Sequence, residues 1–142
     1  MTTVDELTFT HSMPEMEEYV ALYDSTGWND TYQLDPERVY DALHHSWFMV
    51  AAYDGNDLVG FGRIISDGIL HALIVEMIVL PDCKGKGIGS YILNELIAVS
   101  KNHGIPDIQL FCAKGQTGFY LKHGFAARPD DAPGMQLVDW KS

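Results

Sequence analysis

Apolar and polar positions change their period several times along the chain, and each change marks a structural element. LTFTHS, residues 7–12, alternates and predicts a strand. Pro14 then opens an acidic first turn in PEMEEYVALYDST, the arrangement favoured at a helix N-terminus, and Gly27 closes that helix. Asp35 and Pro36 supply an N-cap and a first helical residue for a second short helix, PERVYDALHH. In SWFMVAAYDGNDLVGFGRIIS two apolar runs flank Asp54, Gly55, Asn56 and Asp57, which is a hairpin signal. Gly68 marks the next turn, and ILHALIVEMIVL, residues 69–80, follows. That run is apolar at nearly every position, which predicts a strand buried on both faces. Periodicity alone leaves a helix open; the β-branched content and the following Pro81 favour the strand.

From Gly87 the spacing becomes helical. Ile88, Ile92, Leu96 and Val99 recur on one face, with Leu93 and Ile97 beside them, until His103 and Gly104 close the helix. DIQLFC (107–112) reads as a short strand, GQTGFYLKHGF as a short helix closed by Gly124, and GMQLVDW (134–140) as a final strand. Strand 69–80, the helix and strand 107–112 form a βαβ unit, which pairs in parallel through a right-handed crossover. The order predicts a mixed sheet, α/β in the broad sense and α+β in stricter schemes. No repeat or linker interrupts it, so residues 1–142 read as a single domain.

Charge narrows the partners. Lys and Arg number 9 against 20 Asp and Glu, a formal charge of −11 that repels polyanions and attracts cations, so nucleic acid is not an expected partner. No apolar run approaches a membrane span and no leader pattern opens the chain, so a cytoplasmic protein without a membrane partner is expected. Cys83 and Cys112 make neither a disulfide framework nor a zinc pattern, and the neighbouring His44 and His45 diverge around a helix. No metal is expected. Cys112 reads as a small core residue, and His71, in step with Leu73 and Val75, as a satisfied or edge histidine.

Against that acidic background Lys84 and Lys86 stand together in PDCKGKGIGSY, between a strand and a helix. A helix N-terminus presents unpaired N–H groups, and glycines ahead of it let a phosphate approach the backbone. A tight turn needing positive φ is the plainer reading of the same letters. The P-loop pattern fails because Ser90 and Tyr91, not Lys and Ser or Thr, follow Gly89. The dinucleotide fingerprint fails because Ser90 stands where its third glycine belongs. Lys84, Gly87 and Gly89 do match Q/R-x-x-G-x-G/A with lysine in the first place.

With VEMIVL before this loop and FYLKHGF (119–125) after it, the chain resembles the GNAT superfamily of acyl-CoA-dependent N-acyltransferases. The resemblance implies a mixed, mainly antiparallel twisted sheet of roughly six to seven strands flanked by about four helices. It implies acetyl-CoA as cosubstrate, held by the main chain of Met77, Ile78 and Val79 along its pantetheine arm. Its diphosphate would lie on the backbone of Lys84, Gly85, Lys86, Gly87, Ile88, Gly89 and Ser90. Tyr120 matches the family tyrosine that protonates the departing thiolate, a role suited to a phenol of pKa about 10. Packing of the short helix is its plainer role.

Glu76 is the only charge inside the apolar strand, which is costly unless it is paired, wetted or useful. A base acting on the acceptor ammonium and a structural ion pair both explain it. Relatives often carry an asparagine where Ala113 stands, which leaves Lys114 and Gln116 as polar candidates there. Trp28 and Tyr32 lie in the region that shapes the acceptor pocket in relatives, and aromatic walls there would suit an alkyl or aryl ammonium. The expected reaction is direct acetyl transfer to a primary amine of a small molecule or peptide in a ternary complex. The alternative is a non-catalytic acyl-CoA sensor or scaffold of the same fold. Relatives often pair through their final strands, so a homodimer is expected.

Overall fold

Five strands form one sheet in the order of the sequence: β1 (Thr8–Thr10), β2 (Phe48–Asp54), β3 (Asp57–Ser66), β4 (His71–Val79) and β5 (Asp107–Leu110). The structure is a computed structural model that describes residues 3–138, in two compact units, one running to Leu110 and the other beginning at Phe111. All five strands belong to the first unit. Neighbours from β1 to β4 are antiparallel, and β4 pairs in parallel with β5, as the βαβ reading requires. The hairpin turns on Gly55 and Asn56, with Gly55 at a φ of 61°. Sequence predicts roughly six to seven strands; five are found among the described residues. Residues 134–138 of the expected last strand are not extended into the sheet, and Asp139 and Trp140 lie outside the described residues.

Helices α1 (Met16–Asp24), α3 (Pro36–Asp41) and α4 (Ile88–Asn102) follow the predicted pattern. A single-turn helix, α2 (Asn29–Tyr32), was not legible, because the stop at Gly27 and the polar letters after it read as loop. It is closed locally: the Asn29 carboxamide accepts from Leu34 N–H and donates to Leu34 C=O, and Gln33 takes a left-handed φ of 54°.

The sheet is covered on both faces. Phe61 turns toward α1, where its ring meets Tyr19 edge-on with centroids 5.0 Å apart. Gly60 and Gly62 turn the other way, and α4 lies close over them. A β-carbon on Gly62 would come 2.7 Å from Met77 Sδ and 2.8 Å from Ile92 Cγ2, so no larger residue fits without displacement. Burial on both faces, expected of β4, falls instead on the central β3, whose residues Leu58 to Ile64 are all buried. In β4, Leu73, Val75, Met77 and Val79 are only half-buried. Ile88, Ile92, Leu93 and Leu96 of α4 are buried, each stabilising the fold by roughly 1.5–3 kcal/mol before entropic cost.

The second unit begins at Phe111 and contains α5 (Thr117–Lys122), closed by Gly124 at a φ of 90°. Cys112, expected in a strand core, is exposed, because β5 ends at Leu110; its thiol donates to Ala113 C=O.

Candidate functional site

A one-residue irregularity in β4 creates the site. Phe61 pairs with Ile78 and Arg63 with Val75, so Glu76 and Met77 together oppose the single residue Gly62. This is a β-bulge, which inserts an unpaired residue and bends the strand. Glu76 takes a φ of 47°, a left-handed conformation that costs a non-glycine residue about 1–2 kcal/mol. Its side chain turns to the α1 face, while Met77 lies over Gly62 on the α4 face.

Arg63 holds that strained residue. Its guanidinium is buried, with the side chain 6% exposed, and Nη2 donates to Glu76 Oε1 at 3.1 Å. Nη1 donates to Ala42 C=O at 3.3 Å and to Ser46 Oγ at 3.2 Å, while Nε, also buried, has no partner among the described residues. Sequence gives the carboxylate as ion pair or base; the pair exists, and only Oε1 enters it. The Glu76 side chain keeps 20% exposure, and Oε2 takes no part in the pair with Arg63. Arg63 escaped the sequence reading, although it carried the same signal as Glu76: it is the single charge inside VGFGRII.

Two phenols of α1 complete this polar nest. Burial chiefly, and the Glu76 charge next, push Tyr19 far above the ordinary tyrosine range. Tyr23 is pushed up to about 12 by burial first and by Glu76 second, with Tyr32 adding to the rise and Arg63 opposing it. Both therefore remain neutral at physiological pH. Trp28 packs edge-on against Tyr23, centroids 6.0 Å apart, whereas Tyr32 is 53% exposed. Trp28 thus joins the aromatic cluster of Tyr19, Tyr23 and Phe61, and Tyr32 stands at its margin.

Beyond the bulge β4 loses a neighbour. The parallel ladder with β5 ends at Ile74 and Leu110, so Val75 to Val79 pair only with β3. Leu80 N–H donates to Val59 C=O at 2.9 Å. Val79, one residue earlier and opposite Gly60, therefore aims its amide and carbonyl at the open edge. Ile78 is buried against the α1 side.

The chain then passes through a short turn, Pro81–Cys83, into the glycine loop. Lys84 N–H donates within that turn to Pro81 C=O at 3.4 Å. From Gly85 through Ser90 the amides donate to no backbone carbonyl of the described residues; the α4 ladder begins with Tyr91 N–H on Gly87 C=O. Gly85 and Gly87 have φ of 80° and 88°, whereas Gly89 lies inside the first turn of α4. The positive φ at Gly85 and Gly87 bears out the turn reading of these glycines, and the same geometry leaves room for the anion reading. Free amides at a helix N-terminus beside Lys84 and Lys86 fit a diphosphate. Val4 packs against this loop, 3.2 Å from where a Gly87 β-carbon would stand.

In the second unit Tyr120 lies on α5 between Phe119 and Phe125, with centroids 5.0 Å and 6.0 Å away. It is buried, and burial first, then Cys112, raises its pKa above the ordinary value. Such a phenol holds its proton well into the alkaline range.

Residues 13–125 match the model of the Acetyltransferase (GNAT) family. The chain is similar to the "uncharacterized N-acetyltransferase ycf52" of Porphyra purpurea, with 35% identity over 118 residues, 80% of this chain and 66% of that protein. It is 34% identical over 103 residues to "serotonin N-acetyltransferase 2, chloroplastic" of Oryza sativa subsp. japonica, covering 70% of this chain and 52% of that one. The chain thus spans between half and two thirds of these relatives. Among solved structures, a GNAT family acetyltransferase from Streptococcus pneumoniae superposes with a TM-score of 0.80 at 28% identity, over 94% of this chain and 98% of that one.

Proposed function

The chain belongs to the Acetyltransferase (GNAT) family, and on that premise we propose that residues 1–142 form one catalytic domain transferring acetyl from acetyl-CoA to a primary amine. One observation carries this reading: the free amides from Gly85 to Ser90 lie at the end of a strand edge that β5 has left open. An extended, amide-containing arm ending in a diphosphate matches both parts. Val79 on that edge offers its main chain to the pantetheine, and Lys84 and Lys86 add charge at the diphosphate.

The chemistry divides between side chains. Glu76 Oε2 takes a proton from the acceptor ammonium, and the freed amine attacks the thioester carbonyl. As the C–N bond forms and the C–S bond breaks, the Tyr120 hydroxyl gives its proton to the sulfur, and the proton that the new amide nitrogen sheds passes through solvent to restore the phenol. The raised pKa of Tyr120 favours the protonated form this step requires. The acceptor is a small cationic amine, and an arylalkylamine is supported by Trp28 and Tyr23, by the formal charge of −11, and by the name of the rice relative.

The test is CoA release from acetyl-CoA across arylalkylamines, polyamines, aminoglycosides, amino acids and peptide N-termini. Amine-dependent release is the expected result. Thermal stabilisation by acetyl-CoA with no release from any amine points instead to a sensor or scaffold, and stabilisation by ATP or NAD alone overturns the donor assignment.

A further inference from the structure

Arg63 does more than neutralise a buried charge, and we infer that it is a positioning residue, fixing Glu76 Oε1 so that Oε2 is presented to the acceptor amine. This rests on the proposed base role of Glu76. Three observations lead to it. The guanidinium is buried and joins segments far apart in sequence: the backbone at Ala42, the hydroxyl of Ser46 and the bulge of β4. Glu76 sits at a φ of 47° in a bulge, so its backbone alone does not hold it there. One carboxylate oxygen is engaged and the other is not, although the side chain retains exposure.

A planar guanidinium braced at Nη1 sets the direction of the bond it makes through Nη2. Lysine has one point charge and no such brace. The groups facing Glu76 are Arg63 from β3 and Tyr19 and Tyr23 from α1. The tyrosines are neutral, so Arg63 alone supplies a fixed opposite charge. A displacement of the base by about 1 Å can cost about 10²-fold in rate.

A double-mutant cycle separates this from plain structural support. Arg63→Met is expected to lower kcat by about 10- to 100-fold with little change in KM for acetyl-CoA. In a Glu76→Gln background the same change is expected to cost less than about 2-fold, because the carboxylate it positions is gone. Losses that multiply across the cycle overturn the inference and leave Arg63 a structural residue. Should Arg63→Met fail to fold, Arg63→Lys serves, with an expected intermediate loss in kcat that likewise vanishes in the Glu76→Gln background; equal loss in both backgrounds overturns it.

If Glu76→Gln retains the parental kcat, both the base role and the positioning role fall while acetyl transfer stands. If no amine supports CoA release, the crystal structure of Arg63→Met or Arg63→Lys decides alone. A Glu76 carboxylate that leaves its place, or a Glu76 φ that turns negative, supports the clamp; an unmoved one overturns it.

Discussion

The two halves of β4 are written in nearly the same letters and do different work. Ala72 to Ile74 run between two strands, register intact, and the preceding His71 has its Nδ1 hydrogen-bonded to Asp107 Oδ2 at 2.7 Å. Val75 to Val79 carry an extra residue, a part-buried ion pair and one unpaired edge. A fully paired strand has no backbone group to offer a ligand. Only where β5 stops and the bulge begins does the strand have both main-chain and side-chain valence to spare. In the proposed reaction the interruption of the ladder, not a change in composition, sets where the chemistry falls.

That contrast is breakable. The largest effect belongs to Glu76→Gln, which is expected to lower kcat by about 10²-fold or more, read in a steady-state assay over pH. Next, Gly62→Ala forces a methyl against Met77 and Ile92 beneath the bulge, and urea unfolding is expected to show about 1–3 kcal/mol of lost stability. If the neighbouring α4 accommodates it at no cost, the close approach is not required.

A smaller effect separates the functional face by pH. Tyr23 is raised to about 12 in the folded chain, by burial first and Glu76 second, against about 10 when unfolded. Between those values the unfolded state releases a proton that the folded state keeps. The stability is therefore present in full below pH about 10 and drains away as pH climbs toward 12. The fall in unfolding free energy over this window is expected to be shallower in Tyr23→Phe. The smallest effect sits in the paired half. His71→Gln removes an exposed pair and is expected to cost under about 1 kcal/mol with kcat unchanged. A large loss of kcat there would erase the distinction between the halves.

Much of this was legible before any coordinates. The turn at Gly85 and Gly87, the start of α4 and the parallel return to β5 follow from glycine spacing and helical periodicity. Glu76 was visible as a lone charge in an apolar run, and Arg63 was equally visible and passed over, since a single cation in VGFGRII suggests only a costly burial until its partner is known. The bulge itself left no trace, because a strand apolar at nearly every position carries no alternation from which a skipped beat could be read. For the same reason two-sided burial was assigned to β4, whereas Gly60 and Gly62 disguised the more deeply buried β3. The strand expected over 134–140 is not found among the described residues, where Met135, Leu137 and Val138 are exposed and unpaired in the sheet.

The bulge also separates the strand's pairing from its one carboxylate. Removing Glu76 from the count leaves Val75 opposite Arg63, Met77 opposite Gly62 and Ile78 opposite Phe61, an unbroken antiparallel ladder with every apolar side chain on the face it already occupies. The carboxylate thus sits on the one residue that the ladder does not need for its pairing. Deleting position 76 is therefore expected to leave the sheet in register while taking away the partner of Arg63.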